Sequence, residues 1–128
     1  MEKLVNCYIV VEIESINKIS GGNQYYEIIF SSPDKTRYKI TFDCVWDIRC
    51  SIENAYIERS SHFLHGEKEK SSILLIENSN YVKYFEKQVS GTRPIEELKN
   101  YILFDSVDTV IELLTIKEPV ITQCHYSS

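Results

Sequence analysis

The chain has 128 residues, a net charge of −5, 43% hydrophobic residues and 26% charged ones. That length suits one domain over 1–128 with a core that needs no metal or disulfide staple, and the composition is that of a folded protein rather than a disordered one. No basic block occurs, which argues against a nucleic-acid binder held by phosphate contacts, and no apolar run approaches the roughly 18 residues needed to cross a bilayer.

Residues 4–16 alternate: Val5, Cys7, Ile9, Val11 and Ile13 occupy one phase, and Asn6, Glu12 and Glu14 the other. This predicts a half-buried strand, not a signal peptide, because Glu12 and Glu14 interrupt the apolar run and no small-residue cleavage site follows. The four cysteines, Cys7, Cys44, Cys50 and Cys124, show no CxxC spacing. Without an export signal they predict reduced thiols and a cytoplasmic location. Ser20-Gly21-Gly22-Asn23 predicts a hairpin turn, since two glycines supply positive φ at no steric cost. Tyr26, Ile28 and Phe30 share one face of the next strand, and Ser-Ser-Pro-Asp-Lys-Thr at 31–36 reads as a second turn.

From 38 to 52 every even position is apolar or aromatic: Tyr38, Ile40, Phe42, Cys44, Trp46, Ile48, Cys50 and Ile52. A flat strand of that length would reach roughly 50 Å at about 3.3 Å per residue. A domain of this size is only about 36 Å across, so the stretch must bend or bulge, and Val45 places the break around Asp43 to Asp47. A helix through Val45, Ile48, Ile52 and Tyr56 is the competing reading. With the two preceding strands, the stretch completes an antiparallel meander.

Residues 58–71 are polar and predict an exposed loop. Ser72–Glu77 predicts a short buried strand. Residues 78–91 predict a helix, with Ser79 as cap, Val82, Phe85 and Val89 on one side and Gly91 as terminator. Thr92 and Pro94 suit a further short turn. Two more strands follow, joined at Asp105-Ser106 and ending before Pro119, with a helix over 107–117 as the alternative. The tail over 123–128 is expected to fray. The fold class expected is α+β: a mostly antiparallel sheet of long bent strands with one main helix packed on one face.

His62 and His65, with Cys124 and His125, contain the residue types of a zinc site, but a loop and a tail offer nothing to preorganise them, so no metal is expected. Cys50 with His62 could be nucleophile and base, yet Cys44 and Cys50 fall in the apolar phase, where a thiol behaves as a small hydrophobe. No phosphate-binding, nucleophile-elbow or zinc-protease motif occurs, and no catalytic residue or cofactor is expected. The remaining constellation is Asp43, Asp47, Arg49 and Glu53, which would form one charged stripe if the strand were continuous. Its readings are a solvated sheet face, a recognition edge for a partner, and acid–base chemistry by Asp43 and Asp47, for which the neighbouring Arg49 gives no reason to expect the raised carboxylate pKa required. The mild acidity of the chain suits a basic partner.

Two segments carry a resemblance: FDCVWDIRCSIENAYIER at 42–59, and IENSNYVKYFEKQVSG with KNYILFDSVDTVIELLTIKEPVI between 76 and 121. The Val45-Trp46-Asp47-Ile48-Arg49 stretch, the Ser-initiated helix with aromatics and the final strand pair are similar to those of small bacterial immunity proteins encoded beside polymorphic toxins. The resemblance implies a cytosolic antiparallel α+β protein that inhibits a toxin by tight stoichiometric binding, without catalysis, and the acidity of the chain would suit a basic toxin domain. Two alternatives stay open: a small-ligand or enzymatic domain with a pocket between sheet and helix, and a homodimer formed along an open sheet edge.

Overall fold

The computed structural model describes residues 2–52, 71–89, 98–106 and 109–124. Among these, the strands form two antiparallel sheets. The first comprises β1 (Lys3–Asn6), β5 (Val45–Ile52), β6 (Ile73–Glu77), β7 (Lys99–Phe104) and β8 (Thr109–Thr115), in the order β1-β6-β7-β8-β5. The second comprises β2 (Ser15–Gly22), β3 (Tyr25–Ser31), β4 (Arg37–Phe42) and β9 (Val120–Gln123), in the order β2-β3-β4-β9. The helix α1 (Asn80–Val89) has ten residues. The architecture is thus α+β-like and mostly antiparallel, but its helix is short and covers only part of one sheet.

The main core lies between the sheets. Ile28, Phe30, Ile40 and Phe42 of the four-stranded sheet meet Val45, Ile73, Tyr101, Leu103, Ile111 and Leu113 of the five-stranded one. Phe42 and Tyr101 touch in a tilted pair with centroids 5.9 Å apart. The strands in this layer carry large side chains at every second position, and that period alone directs them inward. On the opposite face of the five-stranded sheet, Tyr81, Val82 and Phe85 of α1 pack with Trp46, Leu98 and Leu114. Beside them Leu4, Leu74, Ile76, Ile102 and Val110 form a third apolar cluster on that face. The β7–β8 stretch is therefore buried on both sides, which explains its near-continuous apolar sequence and settles 109–115 as strand.

Residues 4–16 are not one strand. β1 and β2 belong to different sheets, and 7–14 is a strap between them. Ile9 and Ile13 plug the core from this strap, so the alternation reports one-sided burial without a ladder. Serine hydroxyls stand in for strand partners: the Val11 amide donates to Ser71 Oγ at 3.3 Å and the Ile13 amide to Ser72 Oγ at 2.9 Å. The first hairpin also turns later than Ser20–Asn23. Gly21 and Gly22 stay in β2, and Asn23 and Gln24 form the turn with φ of 52° and 69°. Gly21 is required for a different reason, since a Cβ there would stand 2.2 Å from the Tyr25 carbonyl oxygen.

The long alternating stretch does break where its length demanded. Cys44 takes φ 55°, the chain passes from one sheet to the other, and a bulge shifts the register between Val45 and Asp47. The 31–36 turn forms, with the Lys35 amide donating to the Ser32 carbonyl at 2.9 Å. Ser79 caps α1, its Oγ accepting from the Val82 amide at 3.0 Å. Asp105 closes the β7–β8 turn by accepting from the Thr109 amide at 3.0 Å. A strand does follow Pro119: β9 pairs with β4, and the Cys124 amide donates to the Arg37 carbonyl at 2.9 Å, so 123 and 124 are held rather than frayed. The loop predicted over 58–71 (except Ser71, which is buried), together with Gly91, Thr92 and Pro94, lies outside the described residues.

Candidate functional site

The break at Cys44 divides the expected charged stripe. Asp43 sits in the kink, where its Oδ1 accepts from the Cys44 amide at 2.8 Å and its Oδ2 lies 3.8 Å from Lys117 Nζ. Asp47 and Arg49 remain together on β5, on the side that faces α1. Glu53 lies outside the described residues, as do His62, His65 and His125.

Two residues absent from the sequence reading complete the group. Tyr81, from the first turn of α1, donates its hydroxyl to Asp47 Oδ2 at 2.8 Å. The Arg49 guanidinium lies 3.9 Å above the Tyr81 ring centroid. Its Nη2 stands 3.2 Å from Oε2 of Glu112, which lies directly opposite Arg49 in the β5–β8 register. The Glu112 side chain is 6% exposed, while that of Arg49 is 51% exposed. Arg49 is therefore fixed from below by a buried carboxylate and from one side by an aromatic face, with its outer edge in solvent. The bulge makes this possible: by resetting the phase it turns Trp46, Asp47 and Arg49 all toward the helix, where Trp46 meets Phe85 at 5.9 Å.

The helix is held in place by a buried relay. Ser79 Oγ donates to Asn100 Oδ1 at 2.7 Å, and Asn100 is fully buried on β7. Its Nδ2 in turn donates to the Tyr101 and Leu113 carbonyls at 3.3 and 3.4 Å. Glu2 Oε2 accepts from the Asn80 amide at 2.7 Å, placing an anion at the positive end of the helix. Tyr81 is thus set by a rigid frame, not by a free surface turn. Burial pushes its phenol up from the ordinary value of 10.0, and the hydrogen bond to Asp47 adds to the shift. The phenol is held protonated as a donor, which suits recognition better than proton transfer.

Elsewhere, several of the polar groups that line grooves hold backbone. A cleft of about 540 Å³ runs past Ser71, Ser72, Asp105 and Ser106. There Asp105 Oδ2 accepts from the Ile16 amide at 3.0 Å, and Ser106 Oγ donates to the Glu14 carbonyl at 2.8 Å. The groove between sheet and helix, about 420 Å³ and walled by Leu75, Val82 and Leu98, has Ser79 as its hydroxyl, already bonded on both sides. Cys50 is exposed, contrary to its apolar phase, because it lies on the outermost strand of its sheet; Cys7, Cys44 and Cys124 are half-buried. Among the described residues no group of three or more His, Cys, Asp or Glu could hold a metal ion, and no helix is long and apolar enough to cross a membrane.

No family model, curated protein or solved structure matches this chain. Its function is argued from the residues themselves.

Signals for the two missed residues did exist. Glu112 is a lone acid inside the apolar run Val110-Ile111-Glu112-Leu113-Leu114, and a buried acid needs a cation. Tyr81 shares the helical spacing of Phe85. What the sequence withheld was the register that brings Arg49 to both.

Proposed function

We propose that this chain is a protein-binding module that acts by stoichiometric docking, in the manner of an immunity protein neutralising a toxin domain, and that its docking face is the rim between β5 and α1. The observation that supports this reading is the Tyr81–Asp47 and Arg49–Glu112 group. Its side chains are held in one geometry before any partner arrives, so little rotamer freedom remains to be lost on binding. Arg and Tyr are among the residue types that dominate interface energetics: Arg49 has half of its side chain in solvent and Tyr84 is 63% exposed one turn after Tyr81 on α1, while Tyr81, itself 5% exposed, and Trp46 pack beneath them. The chain as a whole is acidic, at −5, and a basic partner gains on-rate from that.

The test is calorimetric titration against the purified product of the reading frame adjacent to this gene, at low and high salt. A one-to-one complex is expected, weakened by salt. Arg49→Ala should weaken binding at least about tenfold, because truncation removes an exposed anchor and the guanidinium that pairs with the buried Glu112 carboxylate. Asp47→Asn should mainly slow association. Absence of binding, or both variants binding as the parent does, refutes the reading.

A further inference from the structure

The two sheets present four outer strands, and three of them carry features that obstruct the addition of another strand. β1 includes Lys3. β2 contains a register shift between Ile16 and Lys18, with Lys18 itself exposed. β5 carries a bulge and two charges, and the Gln24 carbonyl already accepts from its Val45 amide at 2.9 Å. Lysines, bulges and covered amides are the means by which proteins blunt sheet edges. β9, Val-Ile-Thr-Gln, has none of them: no charge, no bulge, and Val120 is 57% exposed.

The direction of its backbone groups follows from the register. The Cys124 amide donates to the Arg37 carbonyl, which makes that pair hydrogen-bonded across β4–β9. In an antiparallel ladder such pairs alternate with pairs whose amides and carbonyls point away. Thr122 (opposite Lys39) and Val120 (opposite Thr41) therefore face β4, while the N–H and C=O groups of Ile121 and Gln123 face outward. Among the described residues no backbone group meets them.

We infer that β9 pairs antiparallel with β9 of a second copy of this chain, joining the two four-stranded sheets across a two-fold axis at Thr122. The occupant is a second copy because the exposed groups are complementary to themselves when paired about Thr122. Ile121 lies opposite Gln123 of the second copy, and Gln123 opposite its Ile121, so every outward N–H finds a C=O. Shifting the axis to Ile121 brings Pro119 into the ladder, where the missing N–H leaves a carbonyl of Gln123 without a donor. At the axis the two Thr122 side chains meet as a close, non-hydrogen-bonded pair on the solvent face, a favourable cross-strand combination. No like charges oppose one another along the strand. This surface is distinct from the β5–α1 rim and does not depend on the function assigned to that rim.

The ladder is short, so the association is weak, and two copies at −5 each repel one another. Equilibrium sedimentation of the full chain should show the mass rising from 15.0 kDa towards twice that value as the concentration approaches about 1 mM, with added salt promoting the rise. Thr122→Lys places two ammonium groups face to face at the axis, and Gln123→Pro removes an outward N–H that β4 does not use. Each should abolish the rise while leaving the melting curve close to the parent's. In a third variant, Thr122→Cys, oxidation should yield a dimer cross-linked through position 122 on peptide mapping. A chain that stays monomeric to about 1 mM, a dimer that survives both of the first two variants, or a cross-link mapped elsewhere overturns the inference.

Discussion

Replacing Ser79 by alanine tests how α1 is fastened. The serine hydroxyl does two things at once: it accepts from the Val82 amide at 3.0 Å and donates to Asn100 Oδ1 at 2.7 Å. Losing an N-cap of this kind costs about 1 kcal/mol. The second loss is separate, because Asn100 is fully buried and its amide oxygen would be left without a donor, at about 1–3 kcal/mol. The two together come to about 2–4 kcal/mol, a large share of the stability of a domain this size. Urea unfolding followed by the emission of Trp46 reads this directly. With a slope of about 1.5 kcal/mol per molar, the midpoint should fall by about 1.3–2.7 M. Ser79→Thr, which keeps a hydroxyl in place, should stay near the parent. A loss of well under 1 kcal/mol for Ser79→Ala would mean that Asn100 finds another donor, and the relay would not be what seats the helix.

Gly21→Ala should destabilise by about 2–3 kcal/mol, because its Cβ would press on the Tyr25 carbonyl and the Tyr26 Cα at 2.2 and 2.8 Å, while Gly22→Ala, with open space around it, should be near neutral in the same melts. Cys50 should react first with a thiol reagent in the native protein, well ahead of Cys7, whose thiol is half-buried and bonded to the Ile9 carbonyl at 3.4 Å; burial pushes both thiols up, so exposure decides the order, and a Cys50 that reacts only in denaturant would place β5 wrongly. Burial raises the phenols of Tyr81 and Tyr101 above 10.0, so both favour the folded state while protonated. Their contribution is intact below pH 10.0 and is lost as pH rises towards the folded-state values, so an ultraviolet alkaline titration should show at least two tyrosines ionising only with unfolding.

Local chemistry in the sequence pointed to several of these features. Ser79 ahead of an amphipathic run, Pro33-Asp34 between two strands and Asp105 after Phe104 each act through their own hydrogen bonds with near neighbours, and each is where it was expected. The need for a bend followed from length, and Val45, breaking the polar phase, placed it near Cys44. What could not be read was pairing. Cys7 to Ile13 alternates as a strand would, yet the two serines just before β6 meet its amides, and no pattern within 7–14 announces that. Four residues after Pro119 are too few for a periodic signal, so β9 went unseen. Cys50 had the right phase, opposite Ile111, but phase gives no information about how far the neighbouring sheet extends over an outer strand. The candidate site divides in the same way: Asp47 and Arg49 came from spacing on one strand, whereas Tyr81 and Glu112 come from two other elements and needed the fold.

The order of strands along the chain has a bearing on how the protein is made. The sheet built mostly from late segments takes its outer strand, β1, from the earliest one, and the sheet built from early segments is completed by β9, synthesised after every other strand described. A nascent chain therefore holds β4, with its open row of amides and carbonyls, unfinished until β9 emerges. Arg37 and Lys39 on that waiting strand keep it charged in the interval, which is when a chaperone or a neighbouring nascent chain would meet it. Once β9 arrives, each sheet holds a strand from the opposite end of the sequence.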